Sequence, residues 1–352
     1  MADTMPDTPE AAFDALFDDY AARDPRFAMT AAFAIGDQAP ITRVSGPQHT
    51  RSDVMVGADV LWHIGSITKS FTATIIMRLS ERGLLDIDAP IAGYLPQYAD
   101  SMHEDWQAVT LRQLLSHTSG IVANPSRFSG FRRSTPDGMA GRLEVLERLW
   151  SAPIEPNEGA FAYSNVGYAL AGLVAEQVTG HSWNRLIQDE IAAPFGLESL
   201  GVGPPTGDNV PWGHRSILGL RFPVDPTDPR ADNPDWMGPA GRLHASISDV
   251  IRWGQLHLRA CAGQRPDFLS AESCGTMWAP READYGLGWG IQRSDEFDAT
   301  LIWHNGSNTK WYAVLGMVPE RDLVVAVALN TFDTETAEGL FHDLVLALLG
   351  EP

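Results

Sequence analysis

Lysine is almost missing from this chain. Lysine and arginine together number 25 among 352 residues, and only Lys69 and Lys310 are lysines. Positive charge is outweighed throughout, with 45 acidic residues and a formal net charge of -20. A surface that acidic repels phosphate backbones and anionic lipid, which speaks against nucleic acid or membrane partners and says little about small-molecule substrates. Cysteine is equally scarce, with Cys261 and Cys274 the two present. They could pair, but two thiols in so long a chain make no disulfide framework, and they read as structural thiols.

Long apolar runs are missing too. The longest aliphatic stretch, 323–329, is far too short to span a bilayer. No basic segment followed by an apolar one opens the sequence, so the chain reads as cytoplasmic. There is no G-x-S-x-G, which argues against the nucleophile elbow of α/β-hydrolases. Neither lysine follows a glycine-rich run, so no phosphate-cradling loop is expected. The ten histidines show neither H-x-H nor H-E-x-x-H spacing, and no metal or other cofactor is expected.

What is present is a chain that is 44% hydrophobic, enough for one large domain or two interleaved ones. The pattern predicts a helix over 11–22, then strands over 27–35 and 41–45 around the turn Gly36-Asp37. Helices are predicted over 68–82, 111–116, 142–150, 165–179, 183–192 and 249–259, with Gly83, Thr110, Gly180, Ser182 and Ser248 as stops or caps. The stretch 201–239 is rich in proline, glycine and aspartate and reads as loop. Strands return at 287–293, 300–303, 311–318 and 323–329, followed by a helix over 335–349. Two short strands cannot stand alone as a sheet, so the early pair should join the late strands. The expected class is therefore α+β, an α/β sandwich with an antiparallel sheet flanked by helices. Residues 1–65 and 241–352 would form that part, with a mostly helical domain over 66–240 inserted. A site would sit where the two meet.

Arginine stays protonated in proteins, whereas a desolvated lysine can lose its proton. A lysine that persists amid so much arginine is a candidate for a role arginine cannot fill. Lys69 ends Ser66-Ile67-Thr68-Lys69, which opens a helix carrying Phe71, Ile75 and Leu79 on one face. Spacing of three places the hydroxyl and the amine on neighbouring turns, and a neutral amine can activate a serine. Ser307-Asn308-Thr309-Lys310 repeats the spacing but lies between two strand patterns, where the two side chains need not meet. Tyr163-Ser164-Asn165 precedes another helix; a tyrosine near a lysine cation would give up its proton more easily and could shuttle it. Taken alone, that tripeptide reads first as a helix cap, Ser164 or Asn165, beside a packed Tyr163. His304-Asn305-Gly306 closes a strand, where glycine would let a substrate backbone approach and the histidine could donate or relay a proton.

Ser-x-x-Lys, Tyr-Ser-Asn and His-x-Gly, in this order, resemble the penicillin-recognising serine hydrolases, closest to the class C β-lactamase-like group. That group includes D-alanyl-D-alanine peptidases, D-aminopeptidases and family VIII esterases. The runs 61–65, 83–88, 111–120, 238–241 and 285–289 fit the same pattern. The resemblance implies a β-lactamase/transpeptidase-like fold, with Ser66 as the acyl-carrying nucleophile, Lys69 as its base and Tyr163 as the group that protonates the leaving atom. Asn165 would position Lys69 and the substrate, the backbone N–H groups of Ser66 and Ser307 would form the oxyanion hole, and Gly306 would line the substrate strand. His304 stands where class C β-lactamases usually carry lysine, which turns the expectation from β-lactams toward small peptides or D-amino-acid amides. Asn305, Lys310, Trp311 and Trp236 are candidate substrate contacts, with Tyr312 a further pocket wall. Arg127, Arg132 and Arg133 cluster in a predicted loop that is solvated or greets an acidic substrate. The expected activity is hydrolysis of small amides or esters through a Ser66 acyl-enzyme, foremost as a small-peptide or D-amino-acid peptidase or amidase. The alternatives are a family VIII-type carboxylesterase, a weak β-lactamase, an acyltransferase with the same site, and a catalytically silent binding protein of the same fold.

Overall fold

The computed structural model describes residues 8–125, 138–155 and 159–350. Arg127, Arg132 and Arg133 lie outside the described residues, as does most of the loop over 124–138. Among the described residues the strands are β1 (Met29–Ile35), β2 (Ile41–Ser45), β3 (Leu61–Gly65), β4 (Gly201–Val202), β5 (Gly213–Ile217), β6 (Leu220–Val224), β7 (Leu243–Ser246), β8 (Gly290–Ser294), β9 (Ala299–Ser307), β10 (Tyr312–Val318) and β11 (Leu323–Leu329).

The two ends of the chain meet in one six-stranded sheet of order β2-β1-β11-β10-β9-β8, antiparallel at every pairing. The alternation along β11 explains why its residues are apolar without a break. Val324, Ala326 and Ala328 enter the larger apolar cluster, while Leu323, Val325, Val327 and Leu329 enter a second one on the opposite face. Helices Pro9–Arg23 and Thr334–Leu349 cover the second face through Phe13, Phe17, Leu340 and Phe341. Helix Ile247–Cys261 covers the first.

Helix Thr68–Glu81 runs through the larger cluster and is buried over most of its surface, which its sequence does not announce, since it carries Thr68, Ser70, Thr72 and Thr74. Each hydroxyl is satisfied internally. Thr68 Oγ1 donates to Gly65 O at 2.6 Å, Thr72 Oγ1 to Pro239 O at 2.8 Å and Thr74 Oγ1 to Ser70 O at 2.9 Å. Ser70 and Thr72 also accept the indole N–H groups of Trp253 and Trp183. Helix Asn165–Thr179 begins at Ser164, whose Oγ takes the Gly167 N–H at 2.9 Å, and ends at Gly180 with φ +73°.

Four expectations need correction. The segment 201–239 is not all loop: β5 and β6 form a hairpin within it. A three-stranded sheet, β3-β7-β4, forms from segments for which no strand was predicted. The cap of helix Ile247–Cys261 is Ser246, not Ser248. Cys261 and Cys274 are not separate thiols but a disulfide, because the chain folds back between helices Ile247–Cys261 and Ala271–Met277 and brings their Cα atoms to 5.1 Å. No helix among the described residues is long and apolar enough to cross a membrane.

Candidate active site

Ser66 sits between the end of β3 and helix Thr68–Glu81. Two glycines hold it against the sheet. Gly65 has φ +52°, and a Cβ there would lie 2.1 Å from Ser307 N; a Cβ on Gly306 would lie 2.0 Å from Ile64 O and 2.5 Å from Ser66 N. Backbone therefore presses on backbone at this point, and any side chain would force the strands apart. The contact brings the N–H groups of Ser66 and Ser307, the two expected oxyanion donors, into one neighbourhood. The missing side chain of Gly306 is what admits the Ile64–Ser66 backbone.

Lys69 is fully buried. Its Nζ lies 3.0 Å from Ser66 Oγ, 2.8 Å from Asn165 Oδ1 and 2.6 Å from Ala240 O. Asn165 is held in this orientation because its Nδ2 donates to Asn124 Oδ1 at 3.0 Å. Two of the three neighbours of the amine are pure acceptors and take hydrogens. A neutral amine has two hydrogens and one lone pair, so the lone pair is left for the Ser66 hydroxyl. Burial holds the amine well below its ordinary value of 10.5, and no carboxylate stands among these contacts to retain the proton.

Tyr163 hydrogen-bonds the Ser66 side chain, and its ring lies 4.6 Å from Lys69 Nζ. The expected easing of its phenolic proton by a lysine cation is not met. Burial raises the phenol above its ordinary value of 10.0, more than the Ser66 hydrogen bond lowers it, and Lys69 is itself driven toward neutrality. Tyr163 thus rests as a proton-bearing acid.

His304 is buried at 5% exposure. Its Nδ1–H donates to the Asn305 carbonyl, so Nε2 accepts the hydroxyl of Tyr285 at 2.9 Å. Burial, and then proximity to Lys69, lower its pKa to about 3, so the ring is neutral. A cavity of about 530 Å³ opens beside the site and is walled by Phe161, Tyr163, Tyr285, Trp303, His304 and Asn305.

Other candidates fall elsewhere. Trp311 is fully buried, stacked on His63 with its indole N–H on Pro211 O, so it belongs to the core. Trp236 is packed in the larger apolar cluster, Tyr312 is buried with its hydroxyl on Glu338, and none of the three lines the cavity. Lys310 does not line it either: its Nζ donates to Asn308 O at 3.2 Å. The second Ser-x-x-Lys does not assemble, since Ser307 Oγ donates to Trp311 O.

Sequence reasoning passed over His117, Tyr285 and the carbonyl of Ala240 as individual groups, although each lies in a run already singled out. His117 has φ +60°, accepts the Ser164 N–H at Nδ1 and lies 4.2 Å from the Tyr163 ring, so it fixes the segment that carries Tyr163 and Asn165. Its Nε2 is buried without a partner among the described residues.

The sequence profile of the family described as Beta-lactamase matches residues 13–348. The chain belongs to that family. Among its relatives, "Penicillin-binding protein 4" of Amycolatopsis lactamdurans is 30% identical over 350 residues, covering 92% of this chain and 85% of that protein. "Penicillin-binding protein 4*" of Bacillus subtilis is 26% identical, and the match spans 83% of this chain but 66% of that longer protein. The fold is shared with the D-amino acid amidase from Ochrobactrum anthropi SV3, at a TM-score of 0.77, 20% identity and 97% coverage of both chains. Penicillin-binding proteins are among the chain's relatives, and its fold recurs in a class C β-lactamase and a D-stereospecific amidohydrolase.

Proposed function

We propose that this chain is a serine hydrolase that cleaves small peptides or amides of the D-amino-acid type through an acyl-enzyme on Ser66. One observation carries the reading. Lys69 Nζ, fully buried and held well below its ordinary pKa by desolvation, lies 3.0 Å from Ser66 Oγ, and its other two contacts are the pure acceptors Asn165 Oδ1 and Ala240 O.

Ser66 Oγ attacks the substrate carbonyl as its proton passes to Lys69 Nζ. The carbonyl oxygen becomes an oxyanion facing the N–H groups of Ser66 and Ser307. Collapse breaks the C–N bond, and Tyr163 gives its hydroxyl proton to the departing nitrogen. Lys69 returns a proton to Tyr163, leaving the ester on Ser66 and the site otherwise restored. Water then repeats the sequence against the ester. The neutral His304 and the aromatic cavity favour an uncharged side chain over the carboxylate of a β-lactam. Arg293, which also lines the cavity, is already paired with Asp298 and Glu320.

A serine-reactive phosphonate is expected to add one equivalent of mass to the wild type and none to Ser66→Ala. Labelling that persists in the Ala variant would move the nucleophile elsewhere. D-amino-acid anilides are expected to be turned over faster than short p-nitrophenyl esters; the reverse order would make the chain an esterase.

A further inference from the structure

We propose that the buried pair His63–Asp232, with Asn308, positions the oxyanion hole by tying its two strands to one carboxylate. This inference rests on Ser66 being the nucleophile. It adds residues that touch neither the substrate nor the reacting atoms.

His63 lies in β3, two residues before Gly65, and is fully buried. Its Nδ1 accepts the Gly65 N–H at 3.1 Å. The ring hydrogen must then be on Nε2, which donates to Asp232 Oδ1 at 2.7 Å. The ring also stacks on Trp311, which fixes its plane. Gly65 is therefore held from behind, and Gly65 carries the peptide that ends in the Ser66 N–H.

Asp232 reaches the other strand as well. Its Oδ1 takes a hydrogen from Asn308 Nδ2 at 3.2 Å, and Asn308 follows Ser307, the second donor. Asn308 is locked in turn, since Nδ2 also donates to Ala231 O at 3.1 Å and Oδ1 accepts the Lys310 and Trp311 N–H groups. The carboxylate further accepts Asn233 N–H at 2.6 Å and Arg242 Nε at 3.1 Å. Asn233 Nδ2 holds the Gly241 carbonyl at 2.8 Å, one residue from the Ala240 carbonyl that receives a Lys69 hydrogen. Burial would raise the carboxyl of Asp232, but the His63 ring and Arg242 beside it hold it at about 2, ionised throughout the working range.

A buried carboxylate with this many donors is costly to assemble unless every one is placed. Here its branches lead to Gly65, to Asn308 and to the 232–242 segment, the three stretches that present Ser66 N–H, Ser307 N–H and Ala240 O. The two glycines allow the strands to touch, and Asp232 sets where they do.

The test is Asp232→Asn in the full chain, which keeps the volume but turns an amide N–H toward either His63 or Arg242. Functional sites are counted first by phosphonate titration, so that misfolded protein does not enter the rates. Per titrated site, kcat on a p-nitrophenyl ester is expected to fall about ten- to hundredfold while KM stays within about threefold. Affinity for phenylboronic acid, which places an oxygen in the hole, is expected to fall by the same factor as kcat/KM. His63→Gln, which can still accept from Gly65 and donate to Asp232, is expected to keep at least tenfold more activity than His63→Leu. Normal kcat per titrated site in Asp232→Asn, or boronate affinity unchanged while kcat falls, overturns the proposal. Equal loss in the two His63 variants overturns it as well. A wild type that the phosphonate does not label at Ser66 overturns the nucleophile assignment and this inference with it, whereas wild-type labelling with an unaffected variant overturns this inference alone.

Discussion

At the scale of single residues, Lys69 is the group whose energetics can be separated from its geometry. Its amine is buried with only neutral partners, and its folded pKa lies well below the unfolded value of 10.5. Between those two values the unfolded chain binds a proton that the folded chain does not. Stability contributed by this position therefore rises with pH and levels off near 10.5. Lys69→Met removes that proton linkage. It also strands Asn165 Oδ1 and Ala240 O, at a cost of about 1–3 kcal/mol each that does not depend on pH. The expected outcome is that the unfolding free energy of the wild type, minus that of Lys69→Met, climbs from neutral pH toward pH 10. Urea denaturation at a series of pH values measures it. A flat difference would mean that Lys69 is charged in the folded protein and cannot serve as base.

At the scale of elements, the contact between β3 and β9 decides whether a site exists. Gly65→Ala would set a methyl 2.1 Å from Ser307 N at a backbone angle that side chains rarely adopt. The expected outcome is a folded chain by circular dichroism whose phosphonate labelling slows about a hundredfold, because the two N–H groups no longer converge. Labelling at the wild-type rate would show that the convergence is unnecessary. The same contact marks where sequence reading stopped. The helices Thr68–Glu81 and Asn165–Thr179 were legible because their signals are local: a periodic apolar face, a capping Ser164, a terminal Gly83 or Gly180. The run Leu-Trp-His-Ile-Gly was not legible as a strand, since it is short, has only His63 as a polar residue and pairs with β7 far along the chain. The β5–β6 hairpin was hidden by its turn. Leu218 and Gly219 both take positive φ, but a fully exposed leucine is no turn signal. Asp232 lies in that same stretch, so the network behind Ser66 could not be read before the loop was seen to fold. Ser66, Lys69, Tyr163, Asn165 and His304 were legible as candidates because their motifs are compact. Trp311 and Trp236 were misplaced because an aromatic residue looks the same in a core and in a pocket wall.

At the scale of the whole molecule, the six-stranded sheet separates two apolar bodies. The larger one contains the helix that follows Ser66, and none of the candidate catalytic groups belongs to the smaller one. The smaller one depends on the first and last helices together, with Tyr20 donating to Asp343 across them at 2.7 Å. Phe13 is fully buried at its centre, 5.0 Å from the Phe33 ring. Phe13→Ala should therefore remove stability without touching chemistry. The expected loss is about 3–5 kcal/mol by urea denaturation, from the lost burial and the cavity left behind. The kcat per phosphonate-titrated site should remain within about twofold of the wild type. The argument is geometric: β11 presents alternate residues to the two bodies, and a cavity on one side relaxes into its own neighbours before it can shift a strand that is hydrogen-bonded on both edges. A folded Phe13→Ala with a tenfold lower kcat would mean that the sheet transmits packing to Ser66, and that the two bodies act as one.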